Sequence, residues 1–246
     1  MQLPPMYRSL VALDRAQHRN LRVRQDQINL NQAKSLNSLF LNVIEFADAC
    51  QNFPIVFVRA GQGQDGKPAP LMPLAVLGLQ NGENLFIKAD GSWDAEYAPA
   101  YLRRYPFAMA RLDNGEQMVV CMDEQWEGFS QTEGQALFDD KGEPTEFTQS
   151  VLKFLESYET EVERTRLVCE ALDEAGILEP MRFEASMEGG AKIEVDGFLA
   201  INDEKFAKLE DAKVLDFHRR GLLQVVEYHR LSMRNMRRLA AKRLQK

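Results

Sequence analysis

The chain has 246 residues, 45% apolar and 27% charged, with a formal net charge of −7. That length and composition fit a soluble globular protein with a sizeable core, arranged as one large domain or two small ones. Cys50, Cys121 and Cys169 are far apart and lack metal-ligand or redox spacing, so no disulfide framework is expected and a reducing compartment fits.

The N-terminal Met1–Arg8 lacks the apolar core of a signal peptide. No apolar run approaches the roughly 20 residues that span a bilayer. The expected location is the cytoplasm, with signal-independent export as the alternative. Charge is unevenly spread. Residues 1–24 carry five Arg against Asp14, and residues 213–246 carry ten Lys and Arg against Asp216 and Glu227. The middle is therefore strongly acidic. Such a chain either closes its basic ends on its own acidic surface or offers them to an anionic partner.

Taken in order, Leu21–Arg24 alternates and predicts a strand. Residues 35–51 place Leu36, Leu39, Phe40, Val43, Phe46 and Ala47 at helical spacing, predicting an amphipathic helix. Pro54 then opens Ile55–Val58, an apolar run that predicts a strand covered on both faces. Residues 61–70 read as a loop. They lack the Lys-Ser/Thr pair of a phosphate loop, and a strand rather than a helix follows.

Leu74–Leu79 and Asn84–Lys88 flank Asn81-Gly82 and predict a hairpin. Phe107–Leu112 and Gln117–Met122 flank Asn114-Gly115 and predict a second. With the 55–58 strand, a mixed or antiparallel sheet of at least five strands is expected.

Residues 127–146 are polar and contain the turn signal Asp139-Asp140-Lys141-Gly142. They mark the expected boundary between a sheet-rich part, 1–143, and a helix-rich part, 144–246, unless the two form one continuous domain. A helix is expected from Thr145 or Thr148 to about Glu174, ended by Gly176. Arg182–Ala185 and Lys192–Val195 read as strands, with a separate Phe198–Ile201 piece after the Asp196-Gly197 turn. Asn202 or Asp203 caps a short helix, and Asp211 caps the last element. Gly221 costs that element about 1 kcal/mol relative to Ala and marks a possible break between two helices. Beyond it, Leu222, Val225, Val226, Met233, Met236, Leu239 and Ala240 form one stripe, and Arg230, Arg234, Arg237, Arg238 and Lys242 form the other faces. The predicted class is α+β: a mixed or antiparallel sheet with β-hairpins in the N-terminal part, and a helix-rich C-terminal part ending in a long basic helix.

Among chemically capable residues, His18, His218 and His229 do not combine into a metal site. His218 and His229 are eleven residues apart, or roughly 16 Å on a straight helix. Cys121 sits in an apolar strand with no base beside it, which is the setting of a core cysteine. Asp123-Glu124, followed by Trp126 and Glu127, is the most plausible carboxylate cluster, although an acidic turn after a strand is also ordinary solvation. The main binding candidates are Trp93, Tyr97, Tyr101, Arg103, Arg104 and Tyr105, with Asp123. Aromatic rings and guanidinium forks hold peptides, sugars or anions; the plainer reading is an aromatic connection packed over a sheet. The basic helix residues Arg230, Arg234, Arg237, Arg238 and Lys242 suit an anionic surface, or else pair with the acidic middle of their own chain.

Several spaced stretches resemble one family. They are Phe53-Pro54-Ile55-Val56-Phe57, Leu77-Gly78 with Glu83-Asn84-Leu85-Phe86, Gly91-Ser92-Trp93, Tyr97-Ala98-Pro99, Arg103-Arg104-Tyr105-Pro106-Phe107, Leu137-Phe138-Asp139 with Gly142-Glu143-Pro144, and Gly221 with His229 and Ser232. Together they resemble the bacterial SapC family over nearly the whole chain. The family's name implies a link to a bacterial surface layer. Its members' operon settings imply an accessory role in uptake or surface functions, and the resemblance transfers no catalytic motif. The chain departs from a lattice subunit in being small and in lacking a Thr/Gly-rich repetitive composition, and no leader is expected.

The expected function is therefore non-catalytic binding, engaging a protein partner or a surface-layer or envelope component. No cofactor or metal is expected. Nucleic acid is the less favoured partner, and peripheral membrane contact is admitted by the basic helix. The alternatives are an enzyme with a site near Trp93–Tyr105 and Asp123, or docking to an anionic surface or nucleic acid through the C-terminal helix. Sequence leaves the oligomeric state open.

Overall fold

A computed structural model describes residues 3–24, 30–61, 63, 68–111, 118–186 and 192–244. In chain order the elements are β1 (Leu10–Ala12), β2 (Arg22–Val23), β3 (Ser38–Phe40), α1 (Phe46–Ala49), β4 (Ile55–Arg59), β5 (Leu71–Val76), α2 (Ala100–Arg103), β6 (Phe107–Arg111) and β7 (Met118–Asp123). There follow β8 (Phe129–Ser130), β9 (Gln135–Ala136), α3 (Glu146–Glu174), β10 (Leu178–Ser186), β11 (Lys192–Ile201), α4 (Asp203–Ala207), α5 (Asp211–Arg219), α6 (Leu222–Ser232) and α7 (Asn235–Leu244). The architecture is α+β. Two compact units are interleaved in sequence: residues 1–33, 87–93 and 100–160 form the first, and 34–86, 94–99 and 161–246 the second.

The first unit holds two small antiparallel sheets, ordered β1-β7-β6 and β8-β2-β9. The expected pairing of β6 with β7 is present, from Phe107 opposite Met122 to Arg111 opposite Met118. The Asp113–Glu116 turn expected to join them lies outside the described residues, as does much of the 61–70 loop. Val23, Phe107, Met122, Trp126, Leu137, Phe138 and Leu155 form this unit's buried cluster. Leu155 comes from the first half of α3, whose start is set by Thr145: its Oγ1 accepts from the Thr148 amide at 3.3 Å.

The second unit is built on a five-stranded sheet ordered β10-β11-β4-β5-β3. Both faces of β4 are covered: Ile55, Val56 and Phe57 are all buried. Two expectations are corrected here. The helix expected over 35–51 is largely replaced: Ser38–Phe40 is β3, with Leu39 opposite Ala75. The chain coils only after Asn42, whose amide donates to Glu45 Oε2 at 3.0 Å, through a 3-10 turn and the short α1. A strand partner far along the chain outweighs the local helical spacing.

The hairpin expected between 74–79 and 84–88 is also absent. The edges of β5 are taken by β4 and β3, so no ladder position is left for Asn84–Lys88. That segment folds back through a tight turn instead, with the Leu85 amide on the Leu77 carbonyl at 2.8 Å. A Cβ at Gly78 would stand 2.0 Å from the Glu83 carbonyl oxygen, so the close approach requires glycine.

The pieces expected at 182–201 are one long hairpin. β10 and β11 pair from Leu178 opposite Ile201 to Ser186 opposite Lys192, with a register shift between Met181 and Phe183. Gly197, expected to end a strand, instead lies within β11, which continues to Ile201. The C-terminal basic stretch divides into α5, α6 and α7. Gly221 stands at φ +74°, a left-handed conformation that ends α5 and opens α6.

Candidate binding site

The aromatic and arginine candidates divide between the units. In the first unit, α2 presents Tyr101 and is followed at once by Arg104 and Tyr105. The Arg104 guanidinium lies 4.3 Å from the Tyr101 ring centroid, 4.6 Å from Tyr158 and 5.7 Å from Tyr7. Burial works against its charge, and the oxygens of Tyr158, Tyr7 and Tyr101 outweigh that effect, holding its pKa above the ordinary value. Among the described residues it makes no ion pair with a carboxylate. Burial raises the pKa of the Glu159 carboxyl, while Arg104 and Arg111 draw it back down.

Asp123, at the end of β7, has no exposed surface. Its carboxylate accepts from the Arg8 amide at 3.2 Å, the Ser9 amide at 3.0 Å, the Gln125 amide at 3.3 Å and the Tyr105 hydroxyl at 2.9 Å. Burial, and then the adjacent Asp123, push the Tyr105 phenol well above its usual range. Burial does the same to Tyr7, whose hydroxyl donates to the Phe107 carbonyl at 2.6 Å. Tyr101 donates to the Pro5 carbonyl at 2.9 Å. Tyr101, Arg104, Tyr105 and Asp123 are thus brought together, and what they hold is the 4–9 segment of their own chain.

The remaining candidates lie elsewhere. Arg103 is exposed, with its guanidinium 5.3 Å from the Phe154 ring centroid. Trp93 is half-buried and bridges to Ile87. Tyr97 belongs to the second unit, where its hydroxyl donates to Glu45 Oε1 at 2.8 Å.

The basic C-terminal residues are partly consumed within the second unit. Arg230 pairs with Asp203 at 2.7 Å and with Glu227 at 2.7 Å, Lys242 with Asp94 at 2.6 Å, and Arg243 with Glu83 at 3.1 Å. Arg238 donates to Asn235 Oδ1 at 3.1 Å. Arg234 and Arg237 are exposed and make no ion pair with a described carboxylate.

His229 is buried in the second unit. Its Nε2 accepts from the Ile201 amide at 3.1 Å, and its ring lies 5.1 Å from that of Phe57. Burial lowers its pKa to about 4. Three residues on, Ser232 Oγ accepts from the Ile55 amide at 2.9 Å. Three further, Asn235 Nδ2 donates to the Cys50 carbonyl at 2.7 Å. This row is a structural strut. The cysteines are buried, and burial raises the pKa of each thiol. Among the described residues no three His, Cys, Asp or Glu converge to hold a metal, and no helix is long and apolar enough to cross a membrane.

A cleft of about 370 Å³ lies on the first unit's small β8-β2-β9 sheet, lined by Arg19, Arg22, Gln131, Phe138, Asp139 and Asp140 among others. Arg19 donates to the Asp140 carbonyl, and Arg22 donates to the Gly134 carbonyl at 3.0 Å. Neither guanidinium pairs with a described carboxylate. Asp139 Oδ1 accepts from the Lys141 and Glu143 amides, both at 2.9 Å, which fixes the turn that carries Asp140. Two positive and two negative groups therefore face one cleft without neutralising one another. From the sequence, Arg19 counts only toward net charge, Arg22 falls in a predicted strand, and Asp139-Asp140 fall in a turn and a family stretch, none of them marked as a site. Their 120-residue separation gave no signal that they meet.

The order of elements, the strut and the tyrosine-lined arginine define an α+β protein in which the polar motif residues serve mainly to pin backbone. The chain belongs to the SapC family, whose model matches residues 13–239. Comparison with curated proteins and with solved structures returns no match.

Proposed function

We propose that this SapC-family protein is a non-catalytic binding or accessory protein of the bacterial cytoplasm. It engages a protein partner by a short segment bearing adjacent opposite charges, seated in the Arg19–Asp140 cleft. The observation that carries the reading is the pair of arginines, Arg19 and Arg22, bonded to backbone carbonyls and left without carboxylate partners beside Asp139 and Asp140. A guanidinium with free N–H donors takes a partner's carboxylate, and the aspartates take its ammonium or guanidinium. The enzyme alternative is weaker because its intended base, Asp123, already accepts from four donors, and its intended phenol, Tyr105, is held protonated.

The test is photo-crosslinking in cells from a benzophenone residue at Gln131, with Lys153 as the control position. A discrete adduct from position 131, lost in Arg19→Glu/Arg22→Glu, supports the reading. The same adducts from both positions, or adducts indifferent to the charge reversal, overturn it. A second reading, docking of α7 to an anionic surface, has exposed Arg234 and Arg237 in its favour. Envelope association that high salt releases and that Arg234→Gln/Arg237→Gln abolishes would support that reading instead.

A further inference from the structure

In the second unit, α7 packs beside β10, and the two border a groove of about 380 Å³. The buried side of α7 is Asn235, Met236 and Leu239. Arg237, Ala240, Ala241 and Leu244 fall at i, i+3, i+4 and i+7, which makes one stripe on another side of the helix, and all four line the groove. Ala241 is exposed, and Leu244 is 55% exposed. Phe183 and Ala185 of β10 supply the facing wall. Glu184 lies between them and also borders the groove, but its carboxylate is engaged by Arg182 at 3.4 Å. Alternation along the strand puts Arg182 and Glu184 on the opposite face from Phe183 and Ala185. There Arg182 also pairs with Glu194, the residue across from Glu184.

The lining indicates what fits. Between Arg237 and Leu244 the helix offers only Ala240 and Ala241, and Ala185 comes from the strand, so a trough is left where larger side chains would close helix on strand. Arg237 stands at one end, exposed and without an ion pair to a described carboxylate. Its basic neighbours are engaged elsewhere: Arg238 with Asn235, Lys242 with Asp94 and Arg243 with Glu83. Leu244 lies seven residues on, about 10 Å along the helix. One cation at the end of a narrow apolar trough matches a carboxylate at the head of an alkyl chain. The guanidinium fork takes both carboxylate oxygens, and the chain covers the apolar walls. The volume is that of a small-molecule site and falls short of what a helix about 10–12 Å across would fill.

We propose that the second unit binds a medium-chain aliphatic monocarboxylate in this groove. The carboxylate sits on Arg237, and the chain lies along Ala240, Ala241 and Leu244 against Phe183. This rests on the second unit alone and is independent of the Arg19–Asp140 cleft, which belongs to the first. Docking of α7 to an anionic surface would use the same Arg237, so the test separates the two.

Isothermal titration of the full chain with octanoate tests it. The expected result is saturable one-to-one binding, about 10-fold tighter than that of hexanoate, as two further buried methylenes dictate. Arg237→Gln weakens octanoate binding by about 10-fold or more, the loss of a charge-assisted contact. Ala241→Phe fills the trough from an exposed position and abolishes binding, with the far-ultraviolet dichroism unchanged. No saturation by about 5 mM octanoate, equal affinity for hexanoate and octanoate, or octylammonium bound as tightly as octanoate overturns the proposal. Retention on vesicles of phosphatidylglycerol and phosphatidylcholine, by a protein that octanoate leaves unbound, overturns it too and assigns Arg237 to a membrane surface.

Discussion

The Asp123 clamp of the first unit and the His229 strut of the second solve one problem, buried backbone groups without ladder partners, by opposite means. At Asp123 a full charge gathers donors: three amides and the Tyr105 hydroxyl converge on one carboxylate. Along α6 and α7, His229, Ser232 and Asn235 are neutral, and each serves its own backbone group: the Ile201 amide of β11, the Ile55 amide of β4 and the Cys50 carbonyl before β4. The charged solution concentrates its energy in one residue, whereas the neutral one spreads it over a helix face. Removing a buried acceptor leaves every donor it served unsatisfied, so the two regions should fail differently.

The sharpest way to break the comparison is Asp123→Ala, which strands all four donors. We expect a loss of about 3–5 kcal/mol, the range for breaking a buried polar network, seen as a lowered urea midpoint. Asp123→Asn keeps one acceptor oxygen, which still serves two of the four donors, and should lose less. An Asp123→Ala midpoint near that of the parent would deny the clamp its role.

Next is the pH response of His229. Its folded pKa, about 4, lies below the unfolded value of about 6.5. As pH falls through that window the unfolded state takes up a proton that the native state refuses, so native stability declines by up to about 3 kcal/mol and levels off below pH 4. The measurement is the urea midpoint of parent and His229→Gln at pH 7.5 and pH 5. The parent should lose more on acidification; equal losses would show that His229 is not held neutral.

Smaller still is Ser232→Ala, which leaves only the Ile55 amide short of an acceptor and should cost about 1–2 kcal/mol in the same assay. A cost equal to that of Asp123→Ala would mean the strut is as concentrated as the clamp. The smallest effect is expected from Lys242→Gln, which removes a half-exposed pair with Asp94 and should cost under about 1 kcal/mol, diminishing with added salt.

These differences also explain what could be read from the sequence. α3 was legible because Thr145, the apolar spacing and Gly176 are all local. The β6–β7 pairing was legible because both strands and their turn lie within 16 residues of one another. β3 was not, because Leu36, Leu39, Phe40 and Val43 satisfy helical spacing, and only Ala75, far along the chain, decides otherwise. β5 was recognised as a strand but given the wrong neighbour, since nothing near Asn81-Gly82 announces that its edges are already occupied. The aromatic run at 93–105 was visible as a candidate cluster, yet Tyr7 and Tyr158 complete the surroundings of Arg104 from opposite ends of the first unit. Ser232 was legible only through family resemblance, and Asn235 not at all, because a polar residue on an otherwise apolar helix face carries no sign that it is buried.

The interleaving of the two units has a consequence for how the protein is made. The first unit begins at the N-terminus but is not complete until residue 160 has been synthesised, and residues 34–86 of the second have by then left the ribosome without β10, β11 or α6. The apolar strand β4 must therefore wait, its edge unpaired with β11, through the translation of about a hundred further residues, several seconds at ordinary elongation rates. For the same reason, neither unit can be obtained by cutting the gene at a single point.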